Sequence, residues 1–123
     1  MLTALEFATV EAGYSWDAVR LPEPWGSDVY KALAAHPADL AHLGHVILSP
    51  ASRCTYWPVP LGTTAEDWPL GCRLLSRNDF VTLPGFGVPE SFVRWLHRPG
   101  IGDLQTTGAV WLAAALDTTR RAA

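Results

Sequence analysis

Lysine is nearly absent from this chain: one Lys stands beside eight Arg, and only 17% of the residues are charged. The net charge is −3, which argues against strong binding to a nucleic-acid backbone, because that affinity needs clustered Lys and Arg. Cysteine is scarce too. Cys54 and Cys72 are too few for a disulfide framework or a Cys-based zinc site. Two free core thiols are the expectation, with a cross-strand bridge as the lesser alternative if their Cα atoms fall within about 7 Å. No apolar run approaches the roughly 18 residues that suggest a membrane span. The N-terminus has no basic region followed by an apolar stretch and a cleavage site, so a cytoplasmic location is expected.

What is present describes a packed protein. At 123 residues, 49% of them hydrophobic, the chain is long enough for a core that needs no metal or disulfide staple, and one domain spanning 1–123 is expected. Six Trp supply large apolar surfaces for the core or for a partner. Seventeen Ala and the Arg-for-Lys bias have the look of a GC-rich genome. Charge is unevenly spread: residues 1–50 hold two basic and six acidic side chains, whereas residues 51–98 hold five Arg and four acids. A modest basic face on the second half is compatible with that.

The hydrophobic pattern predicts a helix over Leu2 to Ala12, ending at Gly13, and a strand over Tyr14 to Leu21, stopped by Pro22 and Pro24. Ser27 is positioned to cap a second helix from Asp28 to Ala35, with Val29, Tyr30, Leu33 and Ala34 as its packing face. A short turn or helical loop over 38–44 follows. Four strand-like runs come next, bounded by Pro and Gly: 45–49, 54–60, 72–76 and 80–84. Residues 92–97 read as another extended run or a helix. Thr106 or Thr107 can cap a last helix from Ala109 to Thr119, with Val110, Leu112, Ala113 and Leu116 as its buried stripe. The order predicts an α+β fold: a single antiparallel or mixed sheet of five to six strands with helices packed on it. Trp16, Val46, Leu48, Tyr56, Leu74, Val81 and Leu116 occupy the apolar phase of their elements and are expected to share one core.

The opening helix followed by Gly13 and Trp16-Asp17-Ala18-Val19-Arg20-Leu21-Pro22 resembles the start of the bifunctional primase-polymerase N-terminal domain. Gly44-His45-Val46-Ile47-Leu48, Tyr56-Trp57-Pro58-Val59-Pro60, Gly71-Cys72-Arg73-Leu74-Leu75, Phe80-Val81-Thr82-Leu83-Pro84 and Arg94-Trp95 are similar to that family's central strand series. The resemblance spans most of the chain and rests on strand endings. It implies a metal pair held by an Asp-x-Asp motif where this chain has Leu48-Ser49-Pro50, and a phosphate-facing His where it has Thr55-Tyr56-Trp57. Only Asp79 lies in the region of the second acid. Two-metal chemistry needs several oxygen ligands, so the resemblance implies a degenerate relative without polymerase activity.

Other constellations fall short of a site. His36, His42 and His45 lie close in sequence, yet no Asp, Glu or Cys completes a metal set. Ser49, Ser52 or Cys54 near His45 has no third, orienting group. The loop Gly85-Phe86-Gly87-Val88-Pro89 lacks the Lys and helix start of a phosphate loop. Neither a metal nor a cofactor is expected. The candidate binding residues are Trp57, Trp68, Arg73, Arg77, Arg94, Trp95 and Arg98, an Arg/Trp set of the kind that stacks bases and pairs phosphates. With no catalytic motif, the reading is a binding module rather than an enzyme. Its first expected partner is a protein or a second copy of the chain, through Trp57, Trp68 and the 85–89 loop gathered at one exposed end of the strands. The alternative is nucleic acid or a nucleotide on the Arg/Trp surface, and a small enzyme with an unrecognised site ranks last.

Overall fold

The computed structural model describes residues 9–64, 68–85, 87–100 and 102–122. It is an α+β fold. The strands are β1 (Thr9–Glu11), β2 (Asp17–Pro22), β3 (Val46–Ser49), β4 (Cys54–Val59), β5 (Arg73–Leu75), β6 (Phe80–Thr82) and β7 (Arg94–His97). The helices are α1 (Trp25–Ala34), α2 (Pro37–Leu40) and α3 (Ala109–Ala122). Five strands form an antiparallel sheet in the order β5-β2-β4-β3-β7, and β1 pairs with β6 in a separate two-stranded ribbon.

The ribbon corrects two expectations, a single sheet and a helix running to residue 12. Thr9 and Val10 face Thr82 and Val81 across an antiparallel ladder, and β-branched residues suit that pairing better than a helix end. The part of the expected helix over 2–8 lies outside the described residues. Gly13 does adopt the left-handed conformation, with φ of 92°, but it follows a strand, and its carbonyl accepts from Arg77 Nε.

Helix α1 begins at Trp25, three residues before the expected start. Ser27 is inside it, and the cap is supplied from the other direction: the Glu23 carboxylate accepts the Ser27 N–H at 2.9 Å and the Ser27 hydroxyl. A carboxylate at that end also complements the helix dipole. The helix lies so close to β4 that a Cβ on Gly26 would collide with the Thr55 side chain. Of the run over 92–97, Arg94–His97 is extended as β7, the outer strand beside β3, while Phe92 closes a turn with its N–H on the Pro89 carbonyl. On α3, Leu112 and Leu116 are buried as expected, but Val110 is 87% exposed. The Thr107 hydroxyl is not spent on a cap, since it accepts the Gly44 N–H at 2.9 Å.

The expected single core is two clusters, one on each face of the sheet. Val19, Leu21, Trp57 and Val59 pack with Val29 and Leu33 of α1 and Leu112 and Leu116 of α3. Ala18, Ile47 and Leu75 point the other way and pack with Ala12, Trp16, Val81, Val88 and Val93. Period-2 alternation separates the neighbours Ala18 and Val19, or Val46 and Ile47, onto opposite faces. Of the seven residues expected to share one core, Trp16, Val46, Val81 and Leu116 are buried. Leu48, Tyr56 and Leu74 are half-buried.

Candidate binding groove

Register decides which candidate residues meet. Across the face away from the helices, Arg73 of β5 stands opposite Arg20 of β2, Arg20 opposite Tyr56 of β4, Tyr56 opposite Ile47 of β3, and Ile47 opposite Trp95 of β7. This row holds two Arg, a Tyr and a Trp, yet it is not one continuous surface. Ile47 at its centre is fully buried among Trp16, Val88 and Val93. The segment that covers it is anchored by the Ser49 hydroxyl, which donates to the Phe92 carbonyl at 3.1 Å. The row is thereby divided into two polar ends.

At the first end, Arg20 lies against Cys54 and Tyr56. Contact with the Cys54 side chain, and then with the Tyr56 hydroxyl, holds the Arg20 guanidinium more firmly charged against a smaller cost of burial. Burial, followed by the Cys54 contact, pushes the Tyr56 phenol above its ordinary range, and Arg20 partly offsets this. Cys54 is a buried free thiol; Cys72 is also free, and burial raises its proton affinity. Arg73 is turned away into an ion pair with Asp79 at 2.6 Å. Asp79 also accepts the Ser76 N–H at 3.0 Å.

At the second end a groove of about 440 Å³ runs between β7 and the preceding loop, lined by Pro84, Gly85, Val88, Glu90, Val93, Arg94, Trp95 and Arg98. The Arg98 guanidinium carbon sits 5.9 Å from the Trp95 ring centre, within cation–π range. Behind Trp95 stands His45, edge-on to it with ring centres 5.0 Å apart. Burial first, then Arg98 and His97, lower the His45 pKa below the ordinary 6.5, in the same sense as the Gln105 N–H that donates to its Nδ1 at 2.9 Å.

Of the seven candidate residues, the structure brings together Arg94, Trp95 and Arg98. Trp57 is fully buried on the helix face, where its Nε1 donates to the Thr55 hydroxyl at 2.8 Å. Trp68 packs against that same core, donates to the Thr64 carbonyl, and lines a smaller pocket with Ala109, Val110 and Ala113. Arg77 lies over the Tyr14 ring at 4.6 Å. The gathering of Trp57, Trp68 and the 85–89 loop is therefore not formed: the two Trp residues belong to the helix side, whereas Val88 is buried on the other. Phe86 lies outside the described residues.

Glu90 was not singled out by composition or spacing, and His45 only as a neighbour of His36 and His42 or of Ser49, Ser52 and Cys54, not of Trp95. Glu90 reaches the groove because the loop folds back over Ile47, and His45 matters through Trp95 and Gln105, both distant in sequence. Among the described residues no group of three or more His, Cys, Asp and Glu is arranged to hold a metal ion. Among the same residues no helix is long and apolar enough to cross a membrane. No protein-family model, curated protein or solved structure matches the chain.

Proposed function

We propose that this chain is a non-catalytic binding module whose groove beside β7 takes a compact anionic ligand with a flat aromatic part, of the size and chemistry of a nucleotide. The observation that carries the reading is that Arg98, in cation–π range of the Trp95 ring, and Arg94 line the same groove. Guanidinium groups suit phosphate oxygens through paired N–H donors, and a Trp face stacks on a base. Glu90 offers an acceptor for a sugar hydroxyl or an exocyclic amine. The groove volume falls within the range of small-ligand sites, about 300 to 1,000 Å³. The buried Ile47 interrupts the row of Arg and aromatic side chains, which favours a compact ligand over a strand of nucleic acid.

A degenerate primase-polymerase relative in the cytoplasm is consistent with this reading. The hydroxyl of Ser49, in the segment where that family's paired acids belong, is engaged by the Phe92 carbonyl and the Ser52 N–H, and Asp79 is engaged by Arg73. A second reading, contact with a protein, is favoured by one observation: exposed Val110 adjoins Trp68, with Leu61 half exposed.

Calorimetry with ADP, AMP and pyrophosphate at pH 7.5 tests the proposal. ADP is expected to bind most tightly, and Arg98→Ala to weaken it at least about tenfold, as loss of a charged hydrogen bond does, with the melting temperature unchanged. Binding of none of the three, or binding indifferent to both Arg94→Ala and Arg98→Ala, overturns the groove. Metal-dependent nucleotide incorporation by the purified chain overturns its non-catalytic character.

A further inference from the structure

We infer that His45 is a positioning residue for the groove and a proton latch: in its neutral form it ties the 105–107 segment to β3 and braces Trp95, and protonation releases both. The ligand half of this inference rests on the groove reading above. The latch half stands on geometry alone.

The segment leading into α3 is held by four hydrogen bonds of similar length, three to the start of β3 and one to β4. His45 N–H donates to the Gln105 carbonyl at 3.0 Å, and the Gln105 N–H returns to His45 Nδ1 at 2.9 Å. Gly44 N–H donates to the Thr107 hydroxyl at 2.9 Å, and Thr107 N–H donates to the Pro58 carbonyl at 2.9 Å. The fit is close, for a Cβ on Gly44 would approach the Gln105 carbonyl oxygen to 2.5 Å. Only one of these bonds has a titratable acceptor. An imidazole nitrogen that accepts from a backbone N–H must present its lone pair, so the ring proton resides on Nε2. Adding the second proton places an N–H against the Gln105 N–H, and that bond is lost.

His97, next door, provides the contrast. Its Nδ1 meets the Gly44 carbonyl at 3.0 Å, and a carbonyl only accepts, so His97 keeps that bond in either protonation state. His45 is also 4% exposed, so a charge created there is poorly solvated. The groups whose charges act on it are Arg98 and His97. Both are cationic when charged, and neither offers a partner to an imidazolium. The linkage sign follows. A His whose pKa is lowered in the closed form stabilises that form fully above the ordinary value of 6.5, and the stabilisation is lost as pH falls below it.

Release reaches the groove through Trp95. Its ring is held edge-on by His45 on one side and lines the ligand site on the other, so a displaced imidazole leaves the wall unbraced. Affinity for an anion should therefore fall on acidification, the opposite of what simple protonation of a basic site gives.

The test is a pH series from 7.5 to 5.0 on the full chain, followed by NMR. At pH 7.5 the imidazole nitrogen shifts should show His45 protonated on Nε2, with a titration midpoint below 6.5. Protection of the Gln105 amide, corrected for its intrinsic exchange rate, should drop at least about threefold over the series. His45→Asn keeps an acceptor near Nδ1 without a titration, so in that variant the Gln105 protection should be level. With ADP as probe, wild type should lose at least about threefold more affinity than His45→Asn between pH 7.5 and 5.5. A His45 midpoint at or above 6.5, a proton on Nδ1 at pH 7.5, or Gln105 protection indifferent to pH in the wild type overturns the latch, and these need no variant. If ADP binds at no pH, the groove reading falls while the latch is still decided by the ring and the Gln105 amide.

Discussion

The two faces of the five-stranded sheet are covered by different materials. On one, α1 and α3 lay Val29, Leu33, Leu112 and Leu116 onto Val19, Leu21, Trp57 and Val59, and the buried Thr55 hydroxyl there is bonded to the Trp57 indole. On the other, the β1–β6 ribbon with Leu83, Val88 and Val93 covers a smaller set around Ile47. The edges of that cover carry Arg20, Tyr56, His45, Arg94 and Arg98. Helices bring regular apolar stripes and satisfy their own backbone. A loop leaves backbone groups and polar side chains to be paired individually, and so leaves room for a groove. The helix face is a scaffold; the candidate site lies where coverage is irregular.

The sharpest way to break this comparison is to cut into both faces equally. Trp57→Ala should cost about 3 to 5 kcal/mol in chemical denaturation, the range for a fully buried large side chain. Leu75→Ala, on a three-residue edge strand under a ribbon that can settle inward, should cost nearer about 2 kcal/mol. Equal losses would show that the loop-covered face is packed as rigidly as the helical one. A smaller effect is expected from Thr107→Val, which leaves the buried Gly44 N–H unpaired at a cost of about 1 to 3 kcal/mol. Amide exchange should place the loss in the 105–107 segment and α3, sparing β2. The smallest is Arg73→Ala. Its side chain is 65% exposed, and removing an exposed ion pair should cost no more than about 1 kcal/mol by thermal denaturation. A larger loss would make the Arg73–Asp79 pair part of the scaffold.

Strand positions were legible wherever a β-branched run met a Pro or Gly stop, as in Val46-Ile47-Leu48 before Pro50 and residues 54–59 before Pro60. The faces were harder to read. Strands buried on both sides have nearly continuous apolar sequence, so Trp57 looks the same whether it points at a helix or at solvent. Strand β1 was misread because three residues carry little periodicity and its partner lies some seventy positions away in β6. For the site, residue type was informative and grouping was not. Arg94, Trp95 and Arg98 are neighbours in sequence and remained together. Arg73 and Arg77 were separated from them because β5 and β7 close opposite edges of the sheet, an order set by pairings no local pattern encodes. The role of His45 depends on a backbone donor sixty residues downstream.

Asp17 opens β2 and is 3% exposed. One carboxylate oxygen accepts the Gly62 N–H at 3.0 Å, and the other accepts the Ser76 hydroxyl at 3.0 Å. A single side chain thus tethers the connection after β4 and the connection after β5 to the same strand end. The demand it makes on the first of them is the backbone amide of Gly62, whose φ of 86° favours glycine at that one position. The rest of the stretch between β4 and β5 can therefore drift in sequence during evolution without releasing its anchor, whereas replacing Asp17 would free both connections in one step.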